Sequence, residues 1–429
     1  MMKCIIMNIP SKRALFLTLR LFWLTSLIGV TNVNTHAAEL TGRFSMLGTT
    51  ARAMQGDIGY LNKDNTLSAD QQSLRLMLEN TGGLDNARDN HEWSVHLKIA
   101  RLNLSDFPFN NSHSSDLFRY KKLSSYWSEE KETNSTTLIG HEIDRLVYKQ
   151  RYKNTSLAIG RQPIDWGSGR FWQPLNVFGS FSPTDLDTDY KPGIDAARLD
   201  WFLSDFSSVT AVYAFSPDDN ATIDDNTNTA VYFRRQLGEQ SELALLAGKV
   251  IGNRIIGASF ESAWAGMGWR IEAAHYSTKV NQSSVFWIAG IDYQFANGTL
   301  LTAEWYDNSR AANDVISLAN TDLQADSLIK YGLQQQLSQR VLGISLNKDI
   351  TPLLQGSYTL LSSPVKDIDG KQSTSLLHQF NFSYSVSNES DFLFSFQFAN
   401  GRGLNPFAQV QSEFGHVPAS MSLRLRFYF

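Results

Sequence analysis

Met421-Ser422-Leu423-Arg424-Leu425-Arg426-Phe427-Tyr428-Phe429 is the stretch that decides the fold. Met421, Leu423, Leu425, Phe427 and Phe429 share one face, and Ser422, Arg424, Arg426 and Tyr428 share the other. This is the period of a β-strand with one apolar and one wet face. The same dyad lies upstream. Phe392, Phe394, Phe396 and Phe398 alternate with Leu393, Ser395, Gln397 and Ala399. Phe380, Phe382, Tyr384 and Val386 alternate with Gln379, Asn381, Ser383 and Ser385. Far from this end, Trp93, Val95, Leu97 and Ile99 alternate with Ser94, His96, Lys98 and Ala100. Four phenylalanines along one face would give a soluble protein a large exposed apolar patch. Lipid covers such a face without a matched partner.

Working outward from these segments, strands are expected near 38–47, 72–80, 92–102, 142–152, 155–162, 194–203, 206–216, 228–237, 241–251 and 254–262. More are expected near 267–278, 284–295, 299–308, 339–348, 352–362, 374–386, 391–399 and 420–429, making eighteen. The count falls to sixteen if the weakly patterned stretch 228–262 holds fewer strands. Most have the ~9–11 residues that a tilted strand needs to cross hydrocarbon. Connections at 153–154, 204–205, 238–240, 263–266, 296–298, 349–351 and 387–390 are short. Those at 48–71, 103–141, 163–193, 309–338, 363–373 and 400–419 are long. Short periplasmic turns alternating with long external loops are the signature of a transmembrane barrel. Two connections break the alternation: 252–253 is short for an external loop, and 81–91 is long for a turn. The expected class is all-β, a transmembrane antiparallel up-and-down β-barrel. Lipid cannot satisfy an open strand edge, so the sheet must close. Trp93, Tyr152, Trp201, Trp287, Trp305 and Phe427 stand at or near strand ends on apolar faces, as interfacial girdles require.

Composition agrees. The 429 residues are 19% charged and 12% aromatic, and past the N-terminus no run of 18 apolar residues marks a transmembrane helix. Mean hydropathy is −0.25. A barrel looks soluble on average because only alternate residues face lipid. Residues 1–37 read as a secretory signal: Lys3, Lys12, Arg13 and Arg20, a short apolar core from Leu21 to Val30, then small residues before Ala37. The expected division is 1–37 signal peptide and 38–429 barrel. Cys4, the one cysteine, lies in the signal, so the expected mature chain has neither disulfides nor thiolate metal sites. Removing the signal removes four basic and no acidic residues, taking the net charge from −4 to −8. That is not a nucleic-acid binder's balance.

Inward-facing positions are where transport chemistry would sit. They carry Arg75, Lys98, Arg145, Lys149, Arg151, Arg198, Arg234, Arg270, Arg424 and Arg426, against Glu79, Asp200, Glu272, Asp292 and Glu304. Rings of Arg and Lys favour anion passage. The same residues could instead cross-link the wall through Arg–carboxylate ladders. The external stretch 163–193 holds Trp166, Phe171, Trp172, Phe178 and Phe181, too many rings for an exposed loop. It is expected to fold into the barrel mouth, with Arg161, Arg170, Lys191 and Arg198 beside it as pore residues.

Gly160-Arg161-Gln162 closing a strand, followed by Trp166-Gly167-Ser168-Gly169-Arg170, resembles segments of porin-like and alginate-export-like bacterial outer-membrane barrels. Detailed similarity covers about residues 157–200, while strand number and the final strand extend it to the whole architecture. The last strand, with Phe427 and Phe429, also resembles the C-terminal strand that the barrel-assembly machinery of Gram-negative bacteria recognises. The resemblance implies a passive channel for small solutes or an anionic polymer, with Arg161 and Arg170 as pore residues.

Catalytic motifs are absent. Gly167-Ser168-Gly169 is not a nucleophile elbow, and His141-Glu142 lacks the second histidine of a zinc protease. Asp185-Leu186-Asp187-Thr188-Asp189 starts like a calcium loop, but Tyr190 and Ala196 replace its Gly and Glu. The expectation is a non-enzymatic channel without cofactor or metal. Its lumen would be weakly cationic, suited to small anionic or polar solutes. Expected partners are outer-membrane lipid, lipopolysaccharide and the assembly machinery. The alternatives are export of an envelope polysaccharide and a non-conducting scaffold; the oligomeric state is left open.

Overall fold

The computed structural model describes residues 38–60, 65–81, 90–105, 128–134, 136–215, 228–277, 283–321, 327–330 and 333–429. The expected signal peptide lies outside them, as does most of the 81–91 connection.

The strands run β1 Glu39–Arg52, β2 Thr66–Thr81, β3 Asn90–Leu104, β4 Ser128–Asn134, β5 Thr137–Tyr152, β6 Thr155–Gln162 and β7 Ile194–Ser204. They continue with β8 Ser207–Ala214, β9 Asn228–Leu237, β10 Ser241–Val250, β11 Asn253–Trp264, β12 Met267–Ser277 and β13 Ser283–Gln294. The last are β14 Leu300–Asn308, β15 Arg340–Thr351, β16 Leu354–Lys366, β17 Gln372–Ser387, β18 Ser390–Asn400 and β19 Ala419–Tyr428. Two short helices, α1 Val315–Ala319 and α2 Ser327–Lys330, interrupt the β14–β15 connection. Each strand pairs antiparallel with its neighbours, and β1 closes on β19. Among the described residues the closed ring has eighteen strands, because β4 stands outside it. The stretch 228–262 holds three of them, β9, β10 and most of β11.

β4 is the element the sequence did not announce. It lies inside the expected loop 103–141 and pairs with the outer half of β5, from Thr137 to Glu142. Ser-Glu-Glu-Lys-Glu-Thr-Asn has no apolar alternation. Its pairing depends on a free edge, which exists because β6 pairs only with the inner half of β5, from Leu146 to Tyr152.

The strand faces follow the expected alternation. On β19, Met421, Leu423 and Phe427 are exposed on the barrel's outer surface, while Ser422 and Arg424 are buried inside. On β17, His378 stands outward on the aromatic face: Tyr358 Oη and His378 Nδ1 are 2.8 Å apart, and its ring stacks on Phe398 at 4.6 Å. At the end where β1 begins and β19 finishes, Tyr152, Trp201, Phe206, Trp264, Phe295 and Phe429 are exposed, a girdle at the periplasmic interface. Among the described residues no helix is long and apolar enough to cross a membrane.

Turns at this end are two to five residues long where described, as between β5 and β6 or β13 and β14. At the other end most connections are long. The β10–β11 connection breaks that rule: it is the two-residue turn Ile251-Gly252 and lies at the external end. Both residues have positive φ, 51° and 73°, as a tight hairpin turn matching strand twist requires. The side chains of Asn228 and Asn253 support it by bonding Ile251 N (2.6 Å) and O (2.8 Å).

Candidate functional site: a loop laid across the lumen

Residues 163–193, between β6 and β7, do not project outward. Ile164, Trp166, Phe171, Trp172, Leu175, Val177 and Phe178 are all buried. Trp166 stacks on inward Tyr232 of β9 (4.9 Å, 7°) and meets Phe178 edge-on. Trp172 packs against Tyr306 of β14 (5.1 Å) within a cluster containing Phe286, Ile288 and Val341. The aromatic content that marked the loop in the sequence is what attaches it to the inner wall.

A loop inside a barrel must also satisfy its backbone amides. Two wall carboxylates do this. Glu304 of β14 accepts N–H bonds from Arg170 (2.9 Å), Phe171 (3.1 Å) and Trp172 (2.9 Å). Glu272 of β12 accepts from Ser168 N (2.6 Å), Ser168 Oγ (3.1 Å) and Leu175 N (2.6 Å). The chain coils so tightly between them that a Cβ at Gly169 would lie 1.7 Å from Trp172 O. Only glycine fits there.

The second half of the loop crosses to the opposite wall. Arg43 of β1 grips Asp187 (2.7 Å) and Asp189 (2.8 Å). Arg426 (2.5 Å) and the Tyr428 hydroxyl (2.7 Å) of β19 also bond Asp189. Tyr190 lies beneath the guanidinium groups of Arg43 (4.8 Å) and Arg75 (4.5 Å). Gln379 of β17 donates to Thr184 O at 3.2 Å. Burial pushes the Asp189 carboxyl up, but Tyr428, Arg426 and Arg43 outweigh it and hold it below the ordinary carboxylate value. Asp187 and Asp189 are thus arginine ligands in a calcium-like sequence, and among the described residues no group of side chains is arranged to hold a metal.

The candidate pore residues divide into two sets. Arg161 does not line open lumen. It is 1% exposed, forks onto Asp195 (2.8 and 2.7 Å) and donates to Ile143 O (2.8 Å). It stitches the seam where β6 parts from β5. Lys191 is likewise turned into the loop, onto Asp165 (2.7 Å) and Asn176 (2.8 Å). Arg270 pairs with Asp292 and faces Glu304, and Arg424 is buried beside Asp391. Arg426 is shared between Asp189 and Asp391. These cations are cross-links, and sequence alternation could locate them inside without revealing their partners.

The other set does face open space. Arg145, Lys149 and Arg151 lie in a row on β5, with Arg198 across from them on β7. They line a cavity of about 400 Å³ together with Glu79, Glu92 and Asp200. Lys149 pairs with Glu92 (2.9 Å) and Arg198 with Asp200 (2.9 Å), leaving Arg151 exposed and Arg145 at 3.9 Å from Glu79. Arg170 is also solvent-exposed, its Nε 3.3 Å from Asp292. The neighbouring cavity of about 500 Å³ has the opposite balance: Arg198 and Arg234 face Asp165, Asp200, Asp205, Glu242 and Glu261. The lumen therefore has a basic side along β5 and β7 and an acidic side toward β9–β11.

The external loops repeat the carboxylate device. Glu413, in the β18–β19 loop, accepts from Leu337 N (3.1 Å) and Ser338 N (2.5 Å) in the β14–β15 loop. Burial raises its carboxyl above the usual range despite those bonds. Leu404 N donates to Gly56 O (2.6 Å), joining the β18–β19 and β1–β2 loops. Neither tie had a sequence signal beyond isolated acids and glycines.

This closed sheet, with its outward apolar belt and inward-folded loop, defines an outer-membrane β-barrel of the porin type. Its fold is that of the Occ and Opd outer-membrane porins. Acinetobacter baumannii OccAB1 superposes with a TM-score of 0.57 at 11% identity, over 93% of this chain and 98% of that one. A. baumannii OccAB4 gives 0.56 at 11%, over 92% and 100%. Pseudomonas aeruginosa OccK5 (OpdH) gives 0.56 at 9%, over 91% and 98%. No family model and no curated protein matches the sequence. The expected porin-like barrel is thereby supported at the level of the fold; the alginate-export side of the resemblance is not shown.

Proposed function

We propose that this barrel is a passive outer-membrane channel for small anionic or polar solutes. The observation that carries the reading is the loop 163–193 laid across the lumen beside the basic row of Arg145, Lys149, Arg151 and Arg198. A solute passing the loop meets these cations in a space narrowed by protein, where charge acts through less water than in bulk. The cationic character is weak, because most inward arginines are paired and the β9–β11 side is acidic. Residues 1–37 would be the export signal, and the assembly machinery would insert the remainder. The likeness to substrate-specific porins supports a channel over a polysaccharide exporter or a scaffold.

Planar-bilayer recording in a salt gradient tests the reading. The expected result is a conducting pore whose reversal potential shows mild anion preference. Charge reversal at Lys149, Arg151 and Arg170 together should turn that preference toward cations. An absence of conductance would leave a scaffold, and an unmoved reversal potential would remove the basic row from selectivity.

A further inference from the structure

The lumenal loop is held in two different ways along its length. In its first half Ile164, Trp166, Leu175, Val177 and Phe178 are buried in an apolar cluster with the wall. From Gly179 to Gly193 no residue is buried, and Thr188 and Asp189 are exposed. The change falls at Gly179, whose φ is +116°, a conformation that side chains rarely tolerate. Packing therefore fixes 164–178, whereas polar ties hold 179–193. Those ties centre on Asp187 and Asp189.

The wall beneath these two carboxylates is a converging donor set. Arg43 of β1 stands opposite Tyr428 of β19, and Arg426 is the next inward residue on β19. Three donors meet on Asp189: Arg43 Nη1 (2.8 Å), Arg426 Nη1 (2.5 Å) and Tyr428 Oη (2.7 Å). Arg43 also forks onto Asp187 (2.7 and 2.8 Å). Even so, the buried Nε–H of Arg43 finds no acceptor among the described residues. The wall itself supplies few balancing charges here. Arg75, directly opposite Arg43, pairs with Asp144, while Arg424 and Arg426 share Asp391. With the loop lifted away, Arg43 would face Arg75 with no carboxylate of its own, and like charges directly opposite are destabilising. Segment 179–193 can leave at little cost only if another anion replaces both of its charges.

We infer that Arg43, Arg426 and Tyr428 form a binding site for a phosphoryl dianion, which displaces Asp187 and Asp189 and so releases 179–193 from the wall. A phosphoryl group carries in one unit the charge that the two aspartates bring together. Its three terminal oxygens offer one acceptor each to Arg43, Arg426 and Tyr428, which now crowd onto a single planar carboxylate. A monoanion would leave one guanidinium uncompensated. Only hydrogen bonds exchange, and the freed aspartates return to water. The exposed Thr188-Asp189 tip gives a solute in the lumen access to the site. The inference rests on the channel reading and adds to it a ligand class and a loop that opens by mass action.

The test uses the whole folded barrel in neutral detergent at mildly alkaline pH, where inorganic phosphate and glycerol phosphate are largely dianions. Acetate at matched ionic strength controls for screening, and succinate controls for double charge alone. Amide hydrogen exchange reads the loop, and titration calorimetry reads binding. A phosphoryl probe should raise exchange at 185–190 at least tenfold and saturably, with 168–175 unchanged. A response to glycerol phosphate identifies a phosphorylated solute as the ligand; a response to inorganic phosphate alone identifies the free ion. The double variant Asp187→Asn/Asp189→Asn lacks the resident competitor and should bind the active probe at least tenfold more tightly. Adding Tyr428→Phe to it should lose about tenfold of that affinity. No release by either phosphoryl probe, equal release by succinate, or unchanged affinity in the aspartate variant would each overturn the assignment. Absence of conductance would overturn the channel reading alone, because exchange and calorimetry do not depend on it.

Discussion

Replacing Glu304 by alanine should release the loop that crosses the lumen while leaving the barrel closed. The carboxylate is 1% exposed and is the common acceptor for the N–H groups of Arg170, Phe171 and Trp172. An orphaned buried donor costs ~1–3 kcal/mol. The three losses will not add fully, since water can enter the space, so docking should weaken by roughly 3–5 kcal/mol. At ~1.4 kcal/mol per tenfold, the undocked loop becomes ~100-fold or more better populated. The ladder bonds of β13, β14 and β15 do not involve the side chain, and Arg270 keeps Asp292. Glu304→Gln retains one acceptor oxygen and should cost about 1–3 kcal/mol. Amide hydrogen exchange read by mass spectrometry reports on both parts of the molecule. Protection at 168–175 should fall at least 100-fold in Glu304→Ala while the strands keep theirs, and mean conductance should rise with added noise. Unchanged protection at 168–175, with unchanged conductance, would refute the role given to this carboxylate.

The register of the wall is tested at β18: Phe396→Arg should cost ~2–4 kcal/mol in unfolding titrations in lipid, whereas inward Gln397→Arg should be tolerated, and equal effects would contradict the assigned faces. Closure of β1 on β19 depends on Gly42, whose N–H and C=O bond Phe429 (2.7 and 3.0 Å) and whose missing side chain leaves room for the Phe429 ring; Gly42→Val, or deletion of Phe429, should lower the yield of heat-modifiable folded barrel. The Asp189 carboxyl titrates below its ordinary value of 3.8, so its contribution to loop docking is fully present above that pH and is lost as pH falls through the lower, folded-state value. Exchange at 185–190 should therefore increase in strong acid, and Asp189→Asn should show raised exchange at neutral pH with little further change on acidification.

Alternation in the sequence determined the eighteen strands, their inward and outward faces and most of the connections, because lipid on one side and a polar lumen on the other force a period of two on every crossing. The segment 419–428 and the phenylalanine rows at 380–386 and 392–398 are read directly from that constraint. Loop 163–193 was legible as an inward-folding element because five aromatic rings cannot remain in water. What each charge does was not legible. Arg161 and Arg198 are both flagged by the sequence, yet one is sealed in the β5–β6 seam by Asp195 and the other faces a cavity. The difference comes from where β6 leaves β5, a choice made by pairing between distant segments. β4 escaped notice for the same reason: a polar strand is created by the edge it finds, not by its own pattern. Glu272 and Glu304 were visible as inward acids, but their partners are backbone amides about a hundred residues or more away in the chain. Backbone donors carry no sequence signature, so only the tertiary structure could turn two wall carboxylates into the anchors of the lumenal loop.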